Sequence, residues 1–192
     1  MITLFFDTET SGLPNQKETY KHRDQPWIVQ LALILASETK TYHKMSFLIH
    51  SEGREINPHA QRVHQISTND CERGLREILA AKLFEQIACE AEQIVCHNVK
   101  FDRLLVLSML HRQGMTLFCD WLSALPAICT MEDTTEYCAL LPKRWGSYKW
   151  PKLTELHRIL FDNDYLSAHS ALADVEATRR CYYKLQELGI CR

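Results

Sequence analysis

The chain has 192 residues and a mass of 22.4 kDa, with 46% hydrophobic and 24% charged residues. This composition supports a packed core and excludes a disordered tail, a collagen-like repeat or a charge-rich linker, and the length predicts one domain over residues 1–192. A net charge of −2 and a pI of about 6.5 exclude a protein that holds nucleic acid mainly through a strongly basic surface, but not an enzyme that reaches it through metal ions.

Residues 2–8 are a β-branched and aromatic run that stops before Gly12-Leu13-Pro14, the pattern of a strand followed by a turn. Residues 15–25 are polar and read as a loop. Residues 27–35 and 41–49 are two more strands, and the short connections predict an antiparallel meander. From Asn57 the pattern turns helical. Asn69 with Glu72 three residues later resembles a capping box, and Leu75, Ile78, Leu79, Leu83, Ile87 and Ala91 follow at helical spacing. A short buried strand at 93–97 leads into an apolar helix at 101–112, a succession typical of α/β folds.

A further strand is expected within 119–129 and a short helix at 134–141. Residues 143–152 hold four cations, three aromatics and no acid, and read as an exposed loop. Its cations suit phosphates and its aromatics suit stacking on an unpaired base; equally, the aromatics could pack on the domain while the cations stay solvated. Leu153, Leu156 and Leu160 open another helix. Ala171, Val175, Thr178, Tyr182 and Leu185 mark the last one, which closes at Gly189.

No apolar stretch approaches the roughly 18 residues needed to span a bilayer, and residues 1–7 show no basic leader, so a cytoplasmic protein with no membrane contact is expected. The eight cysteines form no CxxC pair and lie mostly among apolar residues. Reduced thiols, rather than a zinc ribbon or a disulfide framework, are the expectation.

Candidate chemistry begins with Asp7-Thr8-Glu9. On a strand, residues i and i+2 project from one face, so both carboxylates point into one small volume, and two like charges there call for a cation. Asp7, Glu9, Ser11, Gly12 and Glu18 also match positions of a calcium-binding EF-hand loop. The context argues against that reading, because such a loop lies between helices whereas the residues before Asp7 are strand-like, and Pro14 removes an N–H that loop pairing uses. Asp102 follows a short strand at the opening of an apolar helix, where it reads equally as a helix-start residue or a functional acid. Ser170 is a candidate N-cap, which leaves His169 in the preceding loop and Asp174 in the first turn. Four acids and a histidine on three segments suit hydrolysis of phosphodiesters with two metal ions, the histidine, with an ordinary pKa of about 6.5, accepting a proton from the attacking water.

In this order, Asp7-Thr8-Glu9-Thr10 with Gly12-Leu13, His97-Asn98 with Phe101-Asp102, and His169 with Ala171-Leu172 and Asp174 resemble the motifs of the DEDDh, or DnaQ-like, exonucleases. That group includes the proofreading subunit of bacterial DNA polymerase III and ribonuclease T. The resemblance spans residues 2–189 and takes in Val63-His64-Gln65-Ile66, similar to the family's Val-His-Gly-Ile with Gln in place of Gly. It implies an α/β ribonuclease H-like fold with a mixed central sheet of about five strands flanked by helices. It also implies removal of nucleoside 5′-monophosphates from 3′ ends of single-stranded DNA or RNA, with two divalent ions, Mg²⁺ or Mn²⁺, as cofactors.

Carried across by residue, the resemblance implies that Asp7, Glu9 and Asp174 bind the first ion, that Asp7 and, largely through water, Asp102 hold the second, and that His169 is the general base. Thr10, Gly12 and Leu13 would lie beside the terminal nucleotide, with Asn98 and Phe101 shaping the same pocket, although Phe101 reads equally as core. Three other readings are weighed: an exoribonuclease like ribonuclease T, a proofreading or accessory subunit working through a DNA polymerase, and a non-catalytic nucleic-acid binder that kept the fold, against which the complete set of four acids and a histidine argues. The chain ends soon after its last helix, which favours a stand-alone enzyme or an excised domain, as monomer or homodimer.

Overall fold

A computed structural model describes residues 1–15, 17–142, 146–165 and 170–191. Five strands, β1 (Thr3–Thr10), β2 (Ile28–Ala36), β3 (Thr41–Leu48), β4 (Gln93–Cys96) and β5 (Ala127–Cys129), form one sheet in the order β3-β2-β1-β4-β5. The first three pair antiparallel as the expected meander, whereas β1 pairs β4, and β4 pairs β5, in parallel. The mixed sheet matches the expected architecture.

Nine helices are described: α1 (Pro58–His64), α2 (Thr68–Cys71), α3 (Glu77–Ala88), α4 (Val99–Arg112), α5 (Thr116–Ala124), α6 (Thr130–Asp133), α7 (Thr135–Cys138), α8 (Leu153–Phe161) and α9 (Ala171–Glu187). The strand period divides them between two faces. Leu4 and Phe6 of β1 and Leu31, Leu33 and Leu35 of β2 pack with Phe84 of α3, Leu105 and Met109 of α4, and Phe118 of α5. Phe5, Ala32 and Ile34, of opposite parity, pack with Leu156 of α8 and Val175, Tyr182 and Leu185 of α9. Parity therefore decides which helix each β1 side chain meets, and this matters beyond Phe6, where the strand turns polar.

Several expected elements differ in detail. Residues 119–124 belong to α5, and only Ala127–Cys129 is strand, since a short apolar run is compatible with either state. The capping box is Ser67 with Asp70 at the head of α2, not Asn69 with Glu72. The buried face of α3 is Ala80, Ala81, Phe84, Ile87 and Ala88, while Leu79 is half exposed. The helix expected at 134–141 is the four-residue α7, preceded by α6. Ser170 is the N-cap residue of α9, but its side chain makes no capping hydrogen bond.

The 48–76 stretch is drawn in tightly beside the sheet, with Ile49 bridged to Leu75. A Cβ at Gly74 would lie 2.7 Å from the backbone of residues 48–50, so a side chain there would force the segment away. All eight cysteines are free thiols. No helix among the described residues is long and apolar enough to cross a membrane.

Candidate active site

Asp7 and Glu9 share the parity of Phe5 and so emerge on the α9 face at the C-terminal end of β1. Asp174 lies in the first turn of α9. One carboxylate oxygen from each of Asp7, Glu9 and Asp174 lies within 4.8 Å of the others, a separation that one cation can bridge. Thr8 has the opposite parity and meets α4, where its N–H and Oγ1 donate to Asp102 Oδ1 at 3.0 and 2.8 Å. These two bonds tie α4 to the strand and hold Asp102, only 3% exposed, at the edge of the acid cluster.

The electrostatics follow from this crowding. Burial, then the charges of Asp102, Asp174 and Glu9, push the Asp7 carboxyl well above the ordinary range. Burial and the charges of Asp174 and Asp102 push Glu9 up to about 8. Burial raises Asp102 to about 7 against the lowering effect of the Thr8 hydrogen bonds. Among the described residues, every charge acting on Asp7 and Glu9 is another carboxylate, a crowding relieved by taking up protons or a cation. An all-oxygen donor set of this kind fits a hard divalent ion.

Beside the acids runs a groove of about 550 Å³, lined by Asp7 to Thr10, Gly12, Leu13, Phe101, Asp174 and, from the other wall, Asn57, His59, Ala60, Val63 and His64. The α1 wall is fastened to the end of β1. The Asn57 N–H donates to the Ser11 carbonyl at 2.8 Å, and the Asn57 side chain caps α1 by accepting from the His59 N–H. His64 Nδ1 accepts from the Ile66 N–H at 3.0 Å, so Nε2 carries the proton and donates to the Thr10 carbonyl at 3.2 Å. Burial holds this imidazole below its ordinary pKa, which keeps it neutral. Gln65 closes α1 with a φ of 60°, a left-handed conformation that glycine adopts most readily.

The expected nucleotide-side residues divide. Leu13 is 87% exposed on the groove rim, and Phe101 lines the groove. Thr10 Oγ1 donates to the Gly12 carbonyl at 2.8 Å, which shapes the turn. Asn98 is the N-cap residue of α4 and is not part of the groove lining. His97 braces the neighbouring strand end: Nε2 donates to the Pro151 carbonyl, an obligate acceptor, and Nδ1 accepts from Thr130 Oγ1, each at 3.0 Å. In the basic aromatic loop, Tyr148 and Trp150 are exposed and Lys149 is bound to Glu155; Lys143, Arg144 and Trp145 lie outside the described residues, as does His169.

Sequence reasoning assigned no site role to Asn57, His59, Val63 or His64, although the match to the family's Val-His-Gly-Ile segment pointed to this wall. It also passed over Tyr165, whose hydroxyl donates to Asp174 Oδ1 at 2.6 Å.

With this geometry in place, residues 4–182 match the profile of the exonuclease family typified by ribonuclease T. The chain belongs to that exonuclease family. No curated protein sequence matches it significantly. Among solved structures, exonuclease I superposes with a TM-score of 0.75 at 20% identity over 97% of this chain and 41% of the other. Escherichia coli exonuclease I in complex with a dT13 oligonucleotide gives the same values, and the zinc-ion-bound E. coli exonuclease I complex with single-stranded DNA gives 0.74, 20%, 97% and 40%. The chain spans about two-fifths of the length of these proteins. At such identities the likeness is one of fold, the expected ribonuclease H-like arrangement of a mixed five-stranded sheet between helices.

Proposed function

We propose that the chain is a metal-dependent 3′–5′ exonuclease that releases nucleoside 5′-monophosphates from single-stranded DNA, or RNA, ends. The observation that carries this reading is the convergence of Asp7, Glu9 and Asp174 oxygens within 4.8 Å beside an open groove in a chain of the exonuclease family. The 3′ polarity rests on the family resemblance, and the choice of single-stranded DNA is supported by the oligonucleotide complexes of exonuclease I.

Asp7, Glu9 and Asp174 are assigned to the first divalent ion, and Asp7 with Asp102 to the second. Thr8 already occupies one oxygen of Asp102, which suits that residue to reach an ion through water. Mg²⁺ or Mn²⁺ bound here supplies charge stabilisation at the attacking and leaving oxygens. His169, five residues before Asp174, is assigned as general base. The turn at Thr10 to Gly12 offers backbone groups to the terminal sugar, and Leu13, Phe101 and Val63 offer apolar surface to its base. His64 keeps that turn in place through the Thr10 carbonyl.

The test follows 5′-labelled single-stranded DNA and RNA of one sequence with Mg²⁺ or Mn²⁺, and with EDTA as control. The expected outcome is a ladder shortening from the 3′ end, abolished by EDTA and by Asp174→Ala, with the faster strand naming the preferred sugar. No shortening of either strand by folded protein would favour a subunit that acts only with a polymerase partner.

A further inference from the structure

Tyr165 precedes α9 and lies outside every motif of the sequence reading, yet it touches the acid cluster directly. Its hydroxyl donates to Asp174 Oδ1 at 2.6 Å, a short bond of the charge-assisted kind. The ring is itself held. It packs edge-on against His157 with centroids 5.2 Å apart, and His157 is fully buried on α8, where it also packs on Phe161 at 4.7 Å. His157 Nδ1 donates to the Asn163 carbonyl at 3.0 Å, and Arg158 grips Asp164 through two nitrogens at 2.7 and 2.9 Å. Residues 157–165 thus form a brace running from helix to ring to hydroxyl to carboxylate.

A carboxylate offers two oxygens and about four lone-pair sites, of which a phenol takes one. The bond fixes the rotation of the group, and partners of this kind orient ligands and raise metal affinity in ion-binding sites generally. We infer that Tyr165 is a positioning residue for Asp174, holding its carboxylate in the orientation that completes the ion site with Asp7 and Glu9. The inference rests on the metal-binding reading proposed above. If Tyr165 were only packing for α8, loss of its hydroxyl would leave ion affinity untouched.

The experiment compares Mn²⁺ binding by calorimetry, and the rise in melting temperature on adding Mg²⁺, in the wild-type chain, Tyr165→Phe, Tyr165→Leu and Asp174→Asn. Tyr165→Phe keeps the ring against His157 and removes only the hydroxyl. The expected result is that the wild type binds Mn²⁺, Asp174→Asn loses binding, and Tyr165→Phe binds about 10- to 100-fold more weakly. The Phe variant should show an unchanged ion-free melting curve, a smaller rise with Mg²⁺ and an unchanged KM for oligonucleotide. Tyr165→Leu should melt earlier, yet match the Phe variant in ion affinity. Equal affinity in wild type and Tyr165→Phe, or a loss seen only in Tyr165→Leu, would reduce Tyr165 to packing. Tighter binding by Tyr165→Phe would show that the phenol competes with the ion, and would overturn the inference. Absence of Mn²⁺ binding by the wild type would overturn the metal reading and this inference together, whereas the preceding outcomes overturn this inference alone.

Discussion

Two carboxylate sites in this molecule are built on opposite principles. Glu77, 2% exposed at the head of α3, accepts from Arg112 at 2.6 Å, Arg54 at 3.1 Å and Gln113 at 3.0 Å. Burial pushes its carboxyl up, but the hydrogen bonds and charges of Arg112 and Arg54 prevail, and it sits below the ordinary range. Asp7, Glu9 and Asp102 have carboxylates for neighbours and are raised. Glu77 fastens the 48–76 stretch to α3 and α4 with its charge already answered. Among the described residues the β1 acids meet only further carboxylates, and that difference is what the proposed ion site draws on.

The contrast predicts opposite consequences for removing a charge. Asp7→Asn should lower the rate of hydrolysis about 10³-fold, since the charge stabilisation at stake is several kcal/mol, while leaving the ion-free melting temperature unchanged or higher because a mutual repulsion is gone. Single-turnover rates and a melting curve in EDTA check both halves. Glu77→Ala should do the reverse. Two guanidinium groups lose their partner, which costs about 3–5 kcal/mol, or about 2–4 °C of melting temperature per kcal/mol in a domain of this size. Below the transition its rate should stay near that of the wild type.

A gentler comparison varies pH. Glu9 and Asp102 hold protons in the ion-free fold up to about 8 and about 7, whereas in the unfolded chain they release them in the ordinary carboxylate range. Between about pH 5 and 8 the native state therefore binds more protons, and stability should fall as pH rises. Mg²⁺ should flatten that slope, because the cation takes the place of the protons; melting curves at three pH values with EDTA or Mg²⁺ decide it. The smallest effect concerns backbone alone. Gln65→Gly relieves the left-handed residue that closes α1 and should stabilise the fold by about 0.5–1 kcal/mol, read by urea denaturation, with no change in the pH slope.

The contrast also shows where a sequence carries its information. Asp7 and Glu9 were readable because strand parity alone puts them on one face, and the same parity sends Thr8 to Asp102 on the other. Asp174 was readable from its motif on α9. Glu77 was not, since Arg54 and Arg112 reach it through packing that no local pattern encodes. Tyr165 was missed for the same reason, its partner Asp174 belonging to α9, nine residues further along the chain. Local signals misled where two answers fit equally well: the apolar run after Cys119 suited strand and helix alike, and the polar residues at 67–72 offered two capping boxes. Leu83 packs against the core as expected, but Leu79 gives way to Ala80, Ala81 and Phe84, with Phe84 meeting Phe6 of the central strand edge-on at 5.5 Å.

The donors on β1 and on α9 stand far apart along the chain and meet only through the docking of α9 across β1, β2 and β4. As the polypeptide grows, Asp7 and Glu9 are made well before Asp174, and the third carboxylate joins them only once α9 has been made and seated. A half-made chain is therefore without the complete acid set of Asp7, Glu9 and Asp174, whatever it has already folded.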